Sequence, residues 1–192
     1  MGKEGTAGHT PALQGFYYGI MPPGPDRLEP ELLSLKEDAL DNTAVRKEIR
    51  IHCGMNNGRQ RDFDLLLYVP KQLKKPAPVF LGLNFNGNHS VTPEPDVRLT
   101  RAFKQVHGGW MVPHTEAGRG KFADRWCLES AMERGYAVAT AANGEIFPDH
   151  PNGLCRSVFA LFGEPADLRP DFLVPFQEQK AGWIRRYGGI AA

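Results

Sequence analysis

The sequence lacks any apolar run long enough to cross a bilayer, which predicts no membrane-spanning helix. It also lacks a charge imbalance, because 23 basic and 22 acidic residues leave a formal charge of +1. No excess charge therefore points to nucleic acid or to a membrane surface as a partner. The opening stretch MGKEGTAGHTPALQG has no apolar core of the kind found in secretion signals, so no signal peptide is predicted and the localisation stays unassigned.

Cysteine is also scarce. The three cysteines are far apart and form no CxxC pair, which predicts free thiols and no disulfide framework. A zinc site would have to draw on residues whose spacing fits no known zinc motif: His107, His114, His150 and Cys155. We therefore expect no metal and no other cofactor.

Hydrophobic residues make up 41% of the 192 residues, which is enough to build the core of one domain. Residues 45–53 alternate with period two, with Val45 and Ile49 on one face and charged side chains on the other. Residues 63–69 alternate in the same way, and Asn57-Gly58 lies in the turn-rich stretch between the two segments. This pattern predicts an antiparallel hairpin of half-buried strands.

The pattern then changes. Residues 79–83 and 136–141 are almost continuously apolar, which is typical of strands covered on both faces in a parallel sheet. Between them, residues 123–134 have helical spacing, and Gly135 stands where a helix-ending glycine belongs. A helix, a glycine and a strand make half of a βαβ unit, so the fold class is α/β. Further on, an irregular region is followed by helical spacing over 183–191.

The stretch NFNGNH follows the first apolar strand and contains the polar glycine turn Asn86, Gly87 and Asn88. A glycine turn at a strand end can direct backbone N–H groups outward, where they could hold an oxyanion. The same residues also suit an ordinary solvent-exposed turn. The residues alone leave both interpretations open.

A second candidate is NGEIFPDHPNG, which places Glu145, Asp149 and His150 just past the carboxyl end of the second apolar strand. Ligands of open α/β sheets bind at that end, so a catalytic carboxylate–histidine pair and a plain loop with capping acids are both candidates. A serine nucleophile needs a strand–turn–helix elbow such as GxSxG. None of the serines has that setting, so no catalytic residue is assigned: Ser34, Ser90, Ser130 and Ser157.

Three stretches taken together resemble one known family. They are KEDALDNTAVRKEIRIH with FDLLLYVP, then LGLNFNGNHSV, then DRWCLESAMERGYAVATAANGEIFPDHPNG. In order, spacing and turn residues they resemble the bacterial glucuronoyl esterases, carbohydrate esterase family fifteen, often labelled acetylxylan-esterase-like. The resemblance begins near residue 15, and Glu145 stands where the family usually has Asp.

The resemblance implies a serine carboxylic-ester hydrolase with an α/β-hydrolase fold and no metal. Such enzymes cleave glucuronoyl or acetyl esters of plant cell-wall xylan, and they are usually exported. On this basis the turn 86–88 and the loop containing Asp149 correspond to the oxyanion or substrate side of the site.

The family's nucleophile elbow, Gly-x-Ser-Arg-x-Gly-Lys, does not occur in this sequence. We therefore expect residues 1–14 to be a flexible lead and 15–192 to be the N-terminal half of an α/β-hydrolase domain. That half would hold an antiparallel hairpin plus parallel strands, and would stop before the nucleophile strand. The triad would then lie beyond the C-terminus, leaving the chain inactive alone. The alternative is a non-catalytic remnant that binds carbohydrate or a protein partner.

The resemblance also predicts a sheet order. The strand near 136–141 should insert between 63–69 and 79–83, with a right-handed crossover through the helix. This order would leave Val79–Leu83 as an exposed apolar edge. We expect poor solubility unless a dimer or a complementing half covers that edge.

Overall fold

The computed structural model describes residues 24–73, 75–105, 111–149 and 156–163. Apart from Gly24 and Gly163, these residues belong to one compact unit, Pro25–Phe162. Several expectations fall on residues outside this set: the flexible lead, the helix over 183–191 and three of the residues considered for zinc. The predicted domain boundary stays a prediction. None of the described helices is long and apolar enough to cross a bilayer.

A five-stranded mixed sheet dominates the unit. Its strands are β1 (Arg27–Asp38), β2 (Ala44–Gly54), β3 (Gln60–Pro70), β4 (Val79–Asn84) and β7 (Ala137–Ala142). Their spatial order is β1-β2-β3-β7-β4. A separate two-stranded sheet pairs β5 (Phe103–Gln105) with β6 (Met111–Pro113). The core lies mainly against β3 and β7, and its larger apolar members are Leu66, Tyr68, Val91, Val97, Leu128, Met132 and Val138.

The predicted hairpin is confirmed. β2 and β3 pair antiparallel from Ala44 opposite Pro70 to Gly54 opposite Gln60. Gly58 closes the turn at a φ of 85°, a conformation that favours glycine, and its N–H donates to the Met55 carbonyl at 3.0 Å.

The predicted sheet order is confirmed as well. β7 runs antiparallel to β3 and parallel to β4, and therefore lies between them. All six residues of β7 are buried. Among the described residues β4 pairs only with β7, so its other side is a free edge.

The α-helices within the described residues are all short. They are α1 (Ala39–Asn42), α2 (Ala123–Trp126), α3 (Leu128–Glu133) and α4 (Asn143–Ile146). The expectation of one continuous helix over 123–134 is wrong, because Cys127 adopts the left-handed φ of 45° and separates α2 from α3. Gly135 ends α3 at a φ of 79°, as its position predicted.

β1 has no counterpart in the sequence-based prediction. Its pairing with β2 shifts register between Leu32 and Ser34, and such an irregularity breaks the alternation that identifies a strand. Pro30 weakens the pattern further, because proline is rare in strands except at edges. β1 is such an edge, and its leucines at 28, 32 and 35 are exposed.

The charged face of β2 is more buried than the interpretation of a half-buried strand implied. Arg46 is 1% exposed and Glu48 is 5% exposed, whereas Val45 and Ile49 are only partly buried. The cause is the loop before β5, which covers Arg46 and Glu48 and forms hydrogen bonds with both. The backbone N–H of Arg98, for example, donates to Glu48 Oε1 at 2.9 Å.

The general pattern of a strand covered on both faces does not hold for β4, whereas the exposed apolar edge expected at Val79–Leu83 is confirmed among the described residues. Leu81 is 70% exposed, and Phe80 and Leu83 are exposed too. Tyr136 packs on Phe80 with ring centroids 5.0 Å apart, but the described residues do not bury these side chains, although a charge-free apolar run is typical of an interior strand. As far as the described residues show, β4 therefore combines an unpaired edge with exposed apolar side chains.

We predict that Leu81→Lys lowers the self-association of the chain, because a charge on an exposed edge strand opposes pairing with another chain. The matched control is Leu73→Lys, which adds the same charge at an exposed leucine in the turn after β3. Sedimentation velocity measures the aggregated fraction. Equal effects of the two substitutions would contradict a special role of the β4 edge.

Candidate functional site

The turn that follows β4 is buried. Gly87 has φ 85° and ψ 152°, and a short 3₁₀ helix, Asn88–Ser90, follows it. The backbone N–H and the hydroxyl of Ser90 both donate to the Gly87 carbonyl, at 2.9 and 2.7 Å. The interpretation as a plain solvent-exposed turn is therefore wrong, because only Phe85 at its start is fully exposed and Asn86 is partly buried.

Asn88 connects this turn to the sheet. Its Nδ2 donates to the Asp64 carbonyl in β3 at 2.8 Å. Its Oδ1 accepts from Asn84 Nδ2 at 2.8 Å, and the same Asn84 Nδ2 is 3.0 Å from Thr140 Oγ1 in β7. We call this set the asparagine bridge: Asn84, Asn88, Thr140 and the Asp64 carbonyl. Since buried polar groups need partners, the bridge fixes the relative positions of β3, β4 and β7.

The Asn88 backbone is also committed, because its N–H donates to Thr100 Oγ1 at 2.8 Å. Every polar group of the side chain and the N–H thus has a partner inside the protein. One group of the bridge differs: Asn84 Oδ1 is buried and has no hydrogen-bond partner among the described residues.

Glycine is required at position 87 by space as well as by backbone conformation. A Cβ there would lie 2.6 Å from Thr100 Oγ1 and 2.7 Å from the His89 ring. Both distances are shorter than any normal contact, and the positive φ adds strain for any other residue. The His89 ring is fully buried and meets the His114 ring edge-on, with centroids 5.2 Å apart.

Glu145, in α4, is the residue of the second candidate motif that the structure brings to the bridge. Its Oε2 accepts the Asp64 N–H at 2.6 Å, and its Oε1 accepts the Arg101 N–H at 3.2 Å. Its side chain is 4% exposed, and burial raises the pKa of the carboxyl above its ordinary value. Asp149 is exposed further along the same loop, and His150 lies outside the described residues.

Two arginines surround Asp64 on its side-chain side. Arg50 binds the carboxylate with both Nε and Nη2, at 2.8 and 3.0 Å. Arg101 reaches Asp62 at 2.7 Å and Asp64 at 3.4 Å. The hydrogen bond to Asp64 raises the pKa of Arg50. The sequence interpretation did not find this group, although the charged face of the hairpin was its signal.

A second ion cluster, centred on the buried Arg46, holds the loop that leads to Thr100. Arg46 donates to Glu94 at 2.9 Å and to Asp96 at 2.7 Å, and the Tyr68 hydroxyl donates to Glu94 at 2.6 Å. Hydrogen bonds from Arg46 hold the pKa of Asp96 well below its usual range. Burial opposes ionisation of Glu94, but hydrogen bonds from Tyr68 and Arg46 outweigh it and lower the pKa.

Among the described residues, no group of three or more His, Cys, Asp or Glu side chains could hold a metal ion. His107, His150 and Cys155 lie outside those residues. Cys53 and Cys127 are free thiols.

No protein-family model matches the sequence. A curated relative, carbohydrate esterase MZ0003 from an unknown prokaryotic organism, is 36% identical over 143 residues, which cover 71% of this chain and 32% of the relative. Among solved structures, a glucuronoyl esterase from Solibacter usitatus superposes with a TM-score of 0.71 at 34% identity, covering 82% of this chain and 40% of that one. A promiscuous CE15 esterase from a marine bacterial metagenome reaches a TM-score of 0.60 at 35% identity, covering 73% of this chain and 36% of that one.

The chain is similar to a carbohydrate esterase, to a glucuronoyl esterase and to a CE15 esterase. The resemblance to the glucuronoyl esterases seen in the sequence is thereby confirmed. The chain spans about a third of the length of the curated relative, since the match covers 32% of that protein.

We predict that Gly87→Ala destabilises this chain more than Gly58→Ala does. Both glycines have a φ of 85°, but a Cβ at Gly58 meets nothing within 4 Å. A positive φ strains alanine at either position, but at Gly87 the ψ of 152° also places the backbone in a region that is essentially limited to glycine, and a Cβ there would clash as well. Urea unfolding of the two variants measures the difference, and equal losses would show that the crowding around Gly87 is unimportant.

We also predict that the free energy of unfolding falls as the pH drops below about 4.5, which is the ordinary pKa of a glutamate such as Glu94. Glu94 and Asp96 have lowered pKa values in the folded state, so their stabilisation is complete above the unfolded pKa values and is lost as the pH falls through the folded ones. Glu145 has a raised pKa and the opposite sign, which makes the measured loss a net effect.

Tyr68→Phe removes one hydrogen bond to Glu94, so the stability that is lost on acidification should be lost at a higher pH than in the unsubstituted chain. Tyr136→Phe, at a partly exposed tyrosine that packs on Phe80, is the control and should leave the pH dependence unchanged. Urea unfolding between pH 3 and pH 7 gives the comparison. If the free energy of unfolding falls at the same pH in both variants and in the unsubstituted chain, the role of Glu94 is disproved.

Proposed function

We propose that this chain forms part of a serine carboxylic-ester hydrolase that acts on glucuronoyl or acetyl esters of plant cell-wall xylan. The fold we propose is the N-terminal half of an α/β-hydrolase. The observation that carries the proposal is the buried polar turn at the carboxyl end of β4, held by the asparagine bridge. The relatives support it by name, as a carbohydrate esterase, a glucuronoyl esterase and a promiscuous CE15 esterase.

The position of the turn supports an active-site role. β4 and β7 are parallel and in register, so that Asn84 lies opposite Ala142 at their common carboxyl end. The turn 85–90 and helix α4 therefore leave the sheet side by side. Ligands of open α/β sheets bind at this end, because the connections there diverge and leave a crevice.

The hydrogen bonds already formed within the protein indicate which residues of the turn remain available to a ligand. Asn88 has its backbone N–H and its side chain engaged in the protein, so we assign it a supporting role. Asn86 and Gly87 then remain for the oxyanion or substrate side. The exposed Asp149 belongs to the same side in this proposal, where it could meet a hydroxyl group of the sugar.

No serine of the described residues has the setting of a nucleophile. Ser90 is buried and donates to the Gly87 carbonyl, and Ser157 is buried and accepts from the Phe159 N–H at 3.1 Å. The family's elbow motif is absent from the sequence. We therefore propose that the nucleophile, the acid and the histidine lie outside these 192 residues and that the chain alone does not turn over esters.

A non-catalytic remnant that binds carbohydrate or a protein is the second candidate, and one observation favours it. A cavity of about 450 Å³ lies beside β4 and is lined in part by the aromatic rings of Phe80, Trp126 and Tyr136. Translating the DNA that follows codon 192 in three frames separates the two functions. A Gly-x-Ser-Arg-x-Gly-Lys segment there supports the hydrolase, and its absence supports the remnant.

We predict that the purified chain hydrolyses neither a chromogenic acetyl ester nor a glucuronoyl ester. Ser90→Ala and Ser157→Ala test the buried serines, and Ser130→Ala on the exposed face of α3 is the control. Turnover that is equal in all three variants would come from a contaminating esterase. Turnover abolished by Ser90→Ala or Ser157→Ala alone would contradict the proposal.

A further inference from the structure

The carboxylate of Glu145 joins two backbone segments that are distant in sequence. One oxygen accepts the N–H of Asp64 in β3, at 2.6 Å. The other accepts the N–H of Arg101 in the loop before β5, at 3.2 Å. Each carboxylate oxygen therefore holds a different segment, and the charge strengthens both hydrogen bonds.

Both segments also hold Asn88. The carbonyl of Asp64 accepts Asn88 Nδ2 at 2.8 Å. Thr100, directly before Arg101, accepts the Asn88 N–H through its Oγ1 at 2.8 Å. Besides Asn84, Asn88 thus has two partners, the Asp64 carbonyl and Thr100 Oγ1, which we call its supports. One support belongs to a residue whose amide Glu145 holds, and the other lies directly before such a residue.

We propose that Glu145 is a positioning residue that sets the geometry of the turn 86–88 by fixing both supports of Asn88. The proposal rests on the proposed function, which places Asn86 and Gly87 of that turn on the oxyanion or substrate side. Glu145 itself does not touch the turn, and it acts through Asp64 and Thr100.

The packing around α4 leaves Glu145 little freedom. A Cβ on Gly144 would lie 3.2 Å from the Ala102 side chain and 3.2 Å from the Phe103 carbonyl. Helix α4 therefore lies directly against the loop that contains Thr100 and Arg101. A shift of α4 would move that loop, and with it one of the two supports of Asn88.

The chemistry requires a carboxylate. Glutamine has the same length but only one acceptor oxygen, so it can satisfy only one of the two amides and brings an NH₂ group to the other. Aspartate keeps both acceptors on a shorter side chain. Glu145→Gln and Glu145→Asp therefore separate loss of an acceptor from loss of reach.

The chain supplies a matched control in Glu48. It is a buried glutamate whose Oε1 accepts the Arg98 N–H at 2.9 Å in the same loop, and it has no hydrogen bond to a support of Asn88. Glu48→Gln changes a buried carboxylate to an amide next to this loop. It should therefore reproduce a general loss of stability but not a specific change at Asn88.

The test is amide hydrogen exchange of the full chain, followed by NMR for each residue. We expect Glu145→Gln to accelerate exchange at Asp64, Arg101 and Asn88 by about tenfold or more, which corresponds to the loss of a charge-assisted hydrogen bond. The side-chain NH₂ signal of Asn88 should shift at the same time. Glu145→Asp should restore a large part of the protection, and Glu48→Gln should leave Asn88 unchanged.

Two results would overturn the proposal. One is wild-type exchange at Asn88 in Glu145→Gln, and the other is equal acceleration at Asn88 in Glu48→Gln. If Glu145→Gln does not fold, Glu145→Asp decides alone, because faster exchange at Asp64 and Arg101 with no change at Asn88 would disprove the coupling. The measurement needs no turnover, so ester hydrolysis by a serine of this chain would refute the proposed function and leave the result on Glu145 standing.

Discussion

The hydrogen bonds of Asn88 are the interaction on which the arrangement of this sheet end depends. A single side chain accepts from Asn84 at the end of β4 and donates to the Asp64 carbonyl of β3. β7 lies between those strands and joins the bridge through Thr140. An apolar residue at position 88 would remove the Asn88 partner of the buried Asp64 carbonyl and would leave Asn84 Nδ2 with Thr140 Oγ1 alone. A buried polar group that is left unsatisfied costs about 1–3 kcal/mol.

Ion pairs extend this constraint into the loop before β5. Arg46, buried on β2, fixes Glu94 and Asp96, and the loop continues from there to Thr100 and its hydrogen bond with Asn88. Removing one partner of such a buried pair is costly, since it leaves an uncompensated charge. The charged face of the hairpin therefore serves to hold the loop, and the loop in turn holds the turn that ends β4.

Much of the fold could be predicted from local patterns. Period-two alternation identified β2 and β3, and the Asn57-Gly58 turn identified their antiparallel pairing. The position of β7 between β3 and β4 followed from the family resemblance and from connection rules. β1 was missed because a register shift interrupts its alternation, and the break at Cys127 was missed because no glycine or proline marks it.

The candidate site was predictable in part. The residues of the turn and of the loop after β7 were found because strand ends followed by polar residues and glycine are visible in a sequence. The separate roles of these residues could not be predicted, because each role depends on hydrogen-bond partners that are distant in the sequence. Nothing near Asn88 in the sequence indicates that Thr100 and Asp64 hold it, or that Glu145, and not Asp149, adjoins those partners.

A double-mutant cycle between Asn84 and Asn88 tests the asparagine bridge most directly. Asn84→Ala, Asn88→Ala and the double variant would be compared by urea unfolding with the unsubstituted chain. If the bridge exists as described, the two losses are not additive, and the coupling free energy is about 0.5–3 kcal/mol. Losses that add to within about 0.3–0.5 kcal/mol would show that the two side chains act independently, and the bridge could not be what holds this end of the sheet.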